Sequence, residues 1–313
     1  MTNVQPASDS VLTHIEPDTS PDRPLPLPWE QYSDRVLAEW YALLGRGPEE
    51  HEVQSFLELH PSMIPGGSGD VGPGGHHGSA MGAVFRQPTL AGAGRSFRPD
   101  FMWVTRSSGL ITPILIEIEK PSKRWFGKDG RPTSEFTGAR DQLNDWRAWF
   151  AREGNKEVFR ETFLFLGNTY KDRPLEPQFL LIYGRESEFK PGGGHLNHRE
   201  LRFKRDQQRA ADETFMTYDA LRPRYDHSNS MTLTMSVYGP AIYAFSPVYG
   251  TGTGTGPGAL LLGDPKPGLN RSAMMSDERR AYLAERWAYW QEFETDQRNG
   301  QGPTRQARAI GRE

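Results

Sequence analysis

Apolar residues recur at helical spacing over 29–44 and again over 49–60, where Val53, Phe56, Leu57 and His60 form one stripe. Gly45-Arg46-Gly47-Pro48 separates the two helices. Pro48 suits the start of the second, Glu49-Glu50 its acidic first turn, and Pro61 its end. A glycine-rich loop follows over 66–78, and 79–88 supplies a strand. Two more strand-like runs, 98–104 and 114–120, flank the turn signal Ser107-Ser108-Gly109 and predict a hairpin. Phe136, Ala139, Leu143, Trp146 and Phe150 then mark the buried side of a helix opening near Thr133 or Ser134, with Glu135 in its first turn. Residues 179–183 read as a buried strand ended by Gly184-Arg185, and 231–237 with 241–248 as a second hairpin about Gly239-Pro240. A long helix over 276–297 carries Leu283, Trp287, Trp290 and either Phe293 or Glu294 along one side.

The first hairpin breaks its own pattern. Asp100, Glu117 and Glu119 stand where a buried sheet calls for apolar groups. If the turn is centred on Ser108-Gly109, Asp100 falls directly opposite Glu117, with Cα atoms roughly 4.5–5.5 Å apart. Strand alternation puts Glu117 and Glu119 on one face and Ile114, Ile116 and Ile118 on the other. Like charges held so close do not all stay ionised without a cation, and a hard divalent metal takes carboxylate oxygens. Metal-assisted hydrolysis is the chemistry this implies. The plain alternative is a solvated face on an edge hairpin; the nearly all-apolar run around Glu117 argues for a central strand instead.

Composition narrows the classes. At 313 residues the chain suffices for one large domain or two small ones. Only 35% of residues are hydrophobic, mean hydropathy is −0.70, and 33 Gly with 25 Pro call for much loop. No stretch of about 18 apolar residues predicts a membrane span, and the N-terminus lacks a signal-peptide pattern. With no cysteine, disulfides and thiolate zinc sites are excluded, which fits a cytoplasmic location. A net charge of −3 speaks against a generally basic coat, while leaving room for a local basic groove.

Residues 1–28, with Pro21, Pro24, Pro26 and Pro28, read as a disordered leader, 29–250 as the main domain, and 251–313 as a Gly-rich linker with a C-terminal helix. The linker assignment rests on the low-complexity tract 251–256. The aromatic side of the last helix docks either onto its own core or onto a second chain. His76-His77 is a metal-ligand pair or merely solvated. The loop Lys123, Arg124, Trp125, Phe126, Lys128, Arg131 suits a nucleic-acid backbone and unstacked bases, or is simply exposed. A second basic run, 198–209, is a solvated face or a further DNA contact.

Pro99-Asp100, Glu117-Ile118-Glu119-Lys120-Pro121 and Gln142 on a following helix together resemble the PD-(D/E)xK nuclease superfamily. More narrowly, Phe56-Leu57-Glu58-Leu59-His60-Pro61, Arg98-Pro99-Asp100-Phe101, 116–121, Leu181-Ile182-Tyr183-Gly184-Arg185 and Thr217-Tyr218-Asp219-Ala220-Leu221 resemble the Shedu anti-phage defence nucleases over about residues 49–250. The resemblance implies an α/β fold with a restriction-endonuclease-like core, a mixed central sheet flanked by helices. It implies a homo-oligomeric Mg²⁺- or Mn²⁺-dependent DNA endonuclease. Asp100, Glu117 and Glu119 would hold the metal, Gln142 would position water or phosphate, and Lys120 would be the nearest lysine to the motif. The superfamily places Lys where Glu119 stands, and alternation points Lys120 to the opposite face. A catalytically silent DNA-binding or sensor module of the same fold is the alternative.

Overall fold

A computed structural model describes residues 22–72, 77–92, 94–165, 172–252 and 255–300. Two helices come first, α1 (Trp29–Gly45) and α2 (Glu50–Leu59). The chain then forms β1 (Ser79–Arg86), β2 (Phe101–Arg106) and β3 (Ile111–Ile118). Next come α3 (Ser134–Phe150), α4 (Glu153–Phe163), β4 (Gln178–Ile182), α5 (His198–Gln207) and β5 (Glu213–Met216). A second hairpin, β6 (Met231–Ser236) and β7 (Gly239–Phe245), precedes α6 (Gly256–Leu262), α7 (Lys266–Arg271) and α8 (Asp277–Arg298).

The seven strands make one mixed sheet in the order β5-β4-β3-β2-β1-β6-β7. β3, β4 and β5 run parallel and are joined through helices, as parallel neighbours require. The β2–β3 hairpin pairs Phe101 with Ile116 and Arg106 with Ile111. Its turn closes where Leu110 N donates to Ser107 Oγ at 3.1 Å. One further step of that register sets Asp100 across from Glu117, as the sequence predicts. β3 lies inside the sheet and every residue of it is buried.

Alternation divides the core in two. Ile114, Ile116 and Ile118 pack with Trp40, Val53 and Leu57 of α1 and α2. Leu115, Met102 and Leu181 face the other way, toward Leu143 and Trp146 of α3 and the C-terminal helices. α2 is held by a reciprocal capping box between Glu49 and Glu52, and α3 by the Thr133 hydroxyl accepting from Phe136 N at 3.1 Å.

In the region of the expected linker, Thr251 and Thr255 are buried, and α6 carries the apolar run Ala259-Leu260-Leu261-Leu262. α8 lies on its own chain: Leu283, Trp287 and Trp290 are buried, and Trp287 Nε1 donates to Gly263 O at 2.9 Å. Within the expected leader, Pro24 is tied to the fold: the buried Arg279 guanidinium donates to Pro24 O at 2.7 Å and to Tyr249 O at 2.9 Å. Residues 1–21 of the expected leader, His76 and residues 301–313 lie outside the described residues.

Candidate active site

The carboxylates meet at one end of the sheet, where β2 begins and β3 finishes. Glu117 is 7% exposed, and one of its oxygens, Oε2, has no hydrogen-bond partner among the described residues. Asp100, at the entry to β2, keeps partial contact with solvent and accepts a hydrogen bond from Ile118 N at 2.9 Å. Burial, with the neighbouring Glu50 and Glu119 adding to it, pushes the Asp100 carboxyl up to about 7 against the pull of that N–H. Glu117 lies well above the usual carboxylate range, first through burial and then through Asp100, Glu119 and Glu50. Both carboxyls are therefore raised, first of all by the burial they share.

Glu50 was not among the residues singled out from the sequence. It comes from the first turn of α2, and its carboxyl is raised by burial and by Glu119. The capping box uses Glu49 and Glu52, which leaves Glu50 without a helix-capping task. That spare carboxylate is the only sequence signal that could have marked it.

The rim is ionic. Glu119 is paired with Lys123, and Lys120 turns away to Glu49 at the start of α2. The Tyr218 hydroxyl donates to the Glu119 carbonyl, while Trp40 Nε1 donates to Tyr218 O at 3.3 Å. Asp219 beside it accepts from Glu186 N at 2.6 Å and pairs with Arg185. These contacts fix the strand end on which Glu119 sits. Gln142 lies half-buried on α3 next to Leu143, and among the described residues it has no hydrogen bond to Asp100, Glu117 or Glu119.

Asp100 and Glu117 suit a hard cation: they offer carboxylate oxygen, one oxygen is unpartnered, and their charges repel each other. As they stand, no three His, Asp or Glu among the described residues are arranged to hold an ion. Glu119 and Glu50 are the groups available to complete a set once Lys123 no longer holds Glu119.

The basic segments fall differently from a stacking surface. Trp125 and Phe126 are fully buried among Phe136, Tyr183, Phe189 and Phe215, so they anchor the loop and face no base. On α5, Arg205 lies over the Trp125 and Phe189 rings, Lys204 donates to Gly130 O at 2.7 Å, and Arg202 pairs with Glu186. The run 198–209 thus spends much of its charge inside the fold.

No helix among the described residues is long and apolar enough to cross a membrane. No curated protein and no solved structure matches the chain. A family model described as "Shedu protein SduA, C-terminal" matches residues 47–221, more than half of the sequence, and that span takes in Glu50, Asp100, Glu117, Glu119 and Tyr218. The chain belongs to this Shedu family.

Proposed function

We propose that the protein is a metal-dependent DNA endonuclease of the PD-(D/E)xK type, acting in anti-phage defence. The observation that carries this reading is the buried Asp100–Glu117 pair, both carboxyls raised and one oxygen unpartnered, at the end of a central strand. Nothing in packing rewards such a pair, because buried carboxylates without a counter-charge oppose folding. A site that binds a cation gains from it.

Asp100 and Glu117 would hold Mg²⁺ or Mn²⁺, with Glu119 or Glu50 as a further ligand. The chemistry such an ion supplies is polarisation of the scissile phosphate and a lower pKa for the attacking water. The chain's own tasks are positional. Ile118 N–H orients Asp100, and Tyr218 fixes the Glu119 backbone. Glu119, once parted from Lys123, can accept a proton from water as general base.

The test uses the full chain with supercoiled plasmid and linear DNA, in Mg²⁺, Mn²⁺ or chelator. Cleavage that requires the ion and disappears in soluble Asp100→Ala and Glu117→Ala supports the reading; undiminished cleavage in either variant sinks it. The second reading, a silent DNA-binding or sensor module, draws on Glu119 standing where the superfamily has Lys and on its present pairing with Lys123. Calorimetric titration with Mn²⁺ separates the two, because a silent module has no use for an ion at this cluster.

A further inference from the structure

Next to the carboxylates, loop 121–124 and segment 185–194 enclose a cleft of about 630 Å³, a size within the ordinary range of ligand sites. Lys123 lines this cleft and also pairs with Glu119, so the cleft opens onto the carboxylate cluster. Of its other cations, Arg185 is neutralised by Asp219. Arg124 is about half exposed, donates to Gly193 O at 2.6 Å, and its Nε stands 3.9 Å from Glu188. Lys190 is exposed and has no hydrogen-bond or ion-pair partner for its ammonium among the described residues.

The one carboxylate in the wall is already taken. Glu188 is buried, accepts from Trp125 N and Phe126 N at 3.0 Å each, and faces His195 Nε2 at 3.3 Å. One stretch of the wall is Gly192-Gly193-Gly194, and Gly193 has no room for a side chain, since a Cβ there would lie 2.1 Å from Ser187 O. A charged groove with a smooth glycine wall and no free anion fits a continuous polyanion better than a compact acidic metabolite, which would need convergent donors.

We infer that this cleft carries the phosphodiester backbone of the strand to be cut. Arg124 and Lys190 lie along its wall, and Lys123 stands at the junction, where its ammonium exchanges Glu119 for a phosphate oxygen. This rests on the nuclease reading of the carboxylates. The exchange trades one charge-assisted bond for another, and the Lys123 side chain is 32% exposed, so little burial opposes it. It also frees the Glu119 carboxylate when substrate arrives. The competing path over α5 has Arg202, Lys204 and Arg205 already engaged, which leaves Arg199 as its free cation among the described residues, and it does not touch the carboxylates, whereas Lys123 does.

The experiment measures binding of a labelled DNA duplex and the matching single strand to the full chain by fluorescence anisotropy, in chelator. Salt runs from about 50 to 300 mM, and the variants are Lys190→Gln, Lys123→Gln and, just beyond the end of α5, Arg209→Gln. Each cleft variant is expected to weaken binding and to reduce the slope of log K against log salt by about 0.7–0.9, while Arg209→Gln leaves both unchanged. Unchanged slopes in both cleft variants, an equal loss in Arg209→Gln, or no DNA binding by the wild type would each overturn the inference. Plasmid cleavage by the wild type is scored separately. Cleavage with unaltered slopes rejects the cleft and keeps the nuclease; altered slopes without cleavage keep the cleft and leave a binding module.

Discussion

Replacing Asp100 by Asn should stabilise the metal-free protein, and by an amount that depends on pH. The amide retains an oxygen that can accept from Ile118 N, so the local hydrogen bond survives. What is removed is a carboxyl that titrates at about 7 in the fold against an ordinary 3.8. Between these values the folded chain holds a proton that the unfolded chain has lost, so stability falls as pH rises through that window and levels off above it. A separation of about three pH units, at about 1.4 kcal/mol each, sets a ceiling of about 4 kcal/mol. Asp100 keeps some solvent, which screens it, and roughly 2 kcal/mol is the working figure. Urea unfolding of wild type and Asp100→Asn in chelator, from pH 4 to 8.5, reads this directly. The variant's advantage should be near zero at the acid end and complete by about pH 8. Adding Mg²⁺ should stabilise the wild type and leave the variant unmoved, since an ion that binds only the folded state adds RT ln(1 + [L]/Kd). An advantage that is the same at every pH, or none at pH 8, would refute the buried-charge account.

Glu50→Gln should lower the folded pKa of Asp100 and weaken Mn²⁺ binding several-fold in calorimetry, because Glu50 raises both Asp100 and Glu117; an unchanged isotherm would leave Glu50 outside the site. Glu119→Ala should lose most cleavage, whereas Glu119→Lys, which restores the superfamily's residue, should retain part of it, and Glu119→Lys with Lys123→Glu more. Wild-type rates in the alanine variant would make Glu119 a bystander. Trp290→Ala should cost about 3–5 kcal/mol in denaturant unfolding and leave the light-scattering mass unaltered, because that ring is fully buried in its own chain. A smaller oligomer with undiminished stability would instead place the aromatic side of α8 between chains.

Much of the fold could be read from local signals that agree with their tertiary setting. The β2–β3 register follows from a turn at 107–110 with equal arms, and a slip of one residue in β3 would drive Glu117 into the core that Ile114, Ile116 and Ile118 fill. Thr133 and Pro48 bounded helices because capping and proline chemistry act within one turn. The misses were of the opposite kind. α6 and α7 are seven and six residues long, too short for periodicity to emerge, and α6 follows a Gly-Thr tract that reads as linker. The α4 stripe rests on Phe159 and Phe163 in an otherwise polar stretch. Trp125 and Phe126 sit among cations in sequence and looked exposed, yet Glu188, more than sixty residues away, caps their backbone N–H groups and seats them in the core.

The site divides along the same line. Asp100, Glu117 and Glu119 could be found because three acids interrupt strands that otherwise obey their pattern, and such a conflict between local rule and burial marks function more often than error. Glu50 obeys every local rule, as an acid in the first turn of a helix, so only the tertiary approach of α2 to the sheet end turns it into a neighbour of Glu119. The cations needed the fold for the same reason. Sequence shows two basic runs of comparable strength, and their fates are decided by which carboxylates and rings the chain brings to them. Glu186, Gly130 O and the Trp125 ring take up Arg202, Lys204 and Arg205 of α5, whereas Lys190 in the cleft meets none of these groups. Lys123 meets only the acid that the catalytic reading wants released. On the proposed nuclease reading, an ion pair in that position would hold Glu119 away from a cation while DNA is absent and would yield it when phosphate competes. On that reading, the departure from the superfamily's lysine would change when the site assembles rather than whether it can.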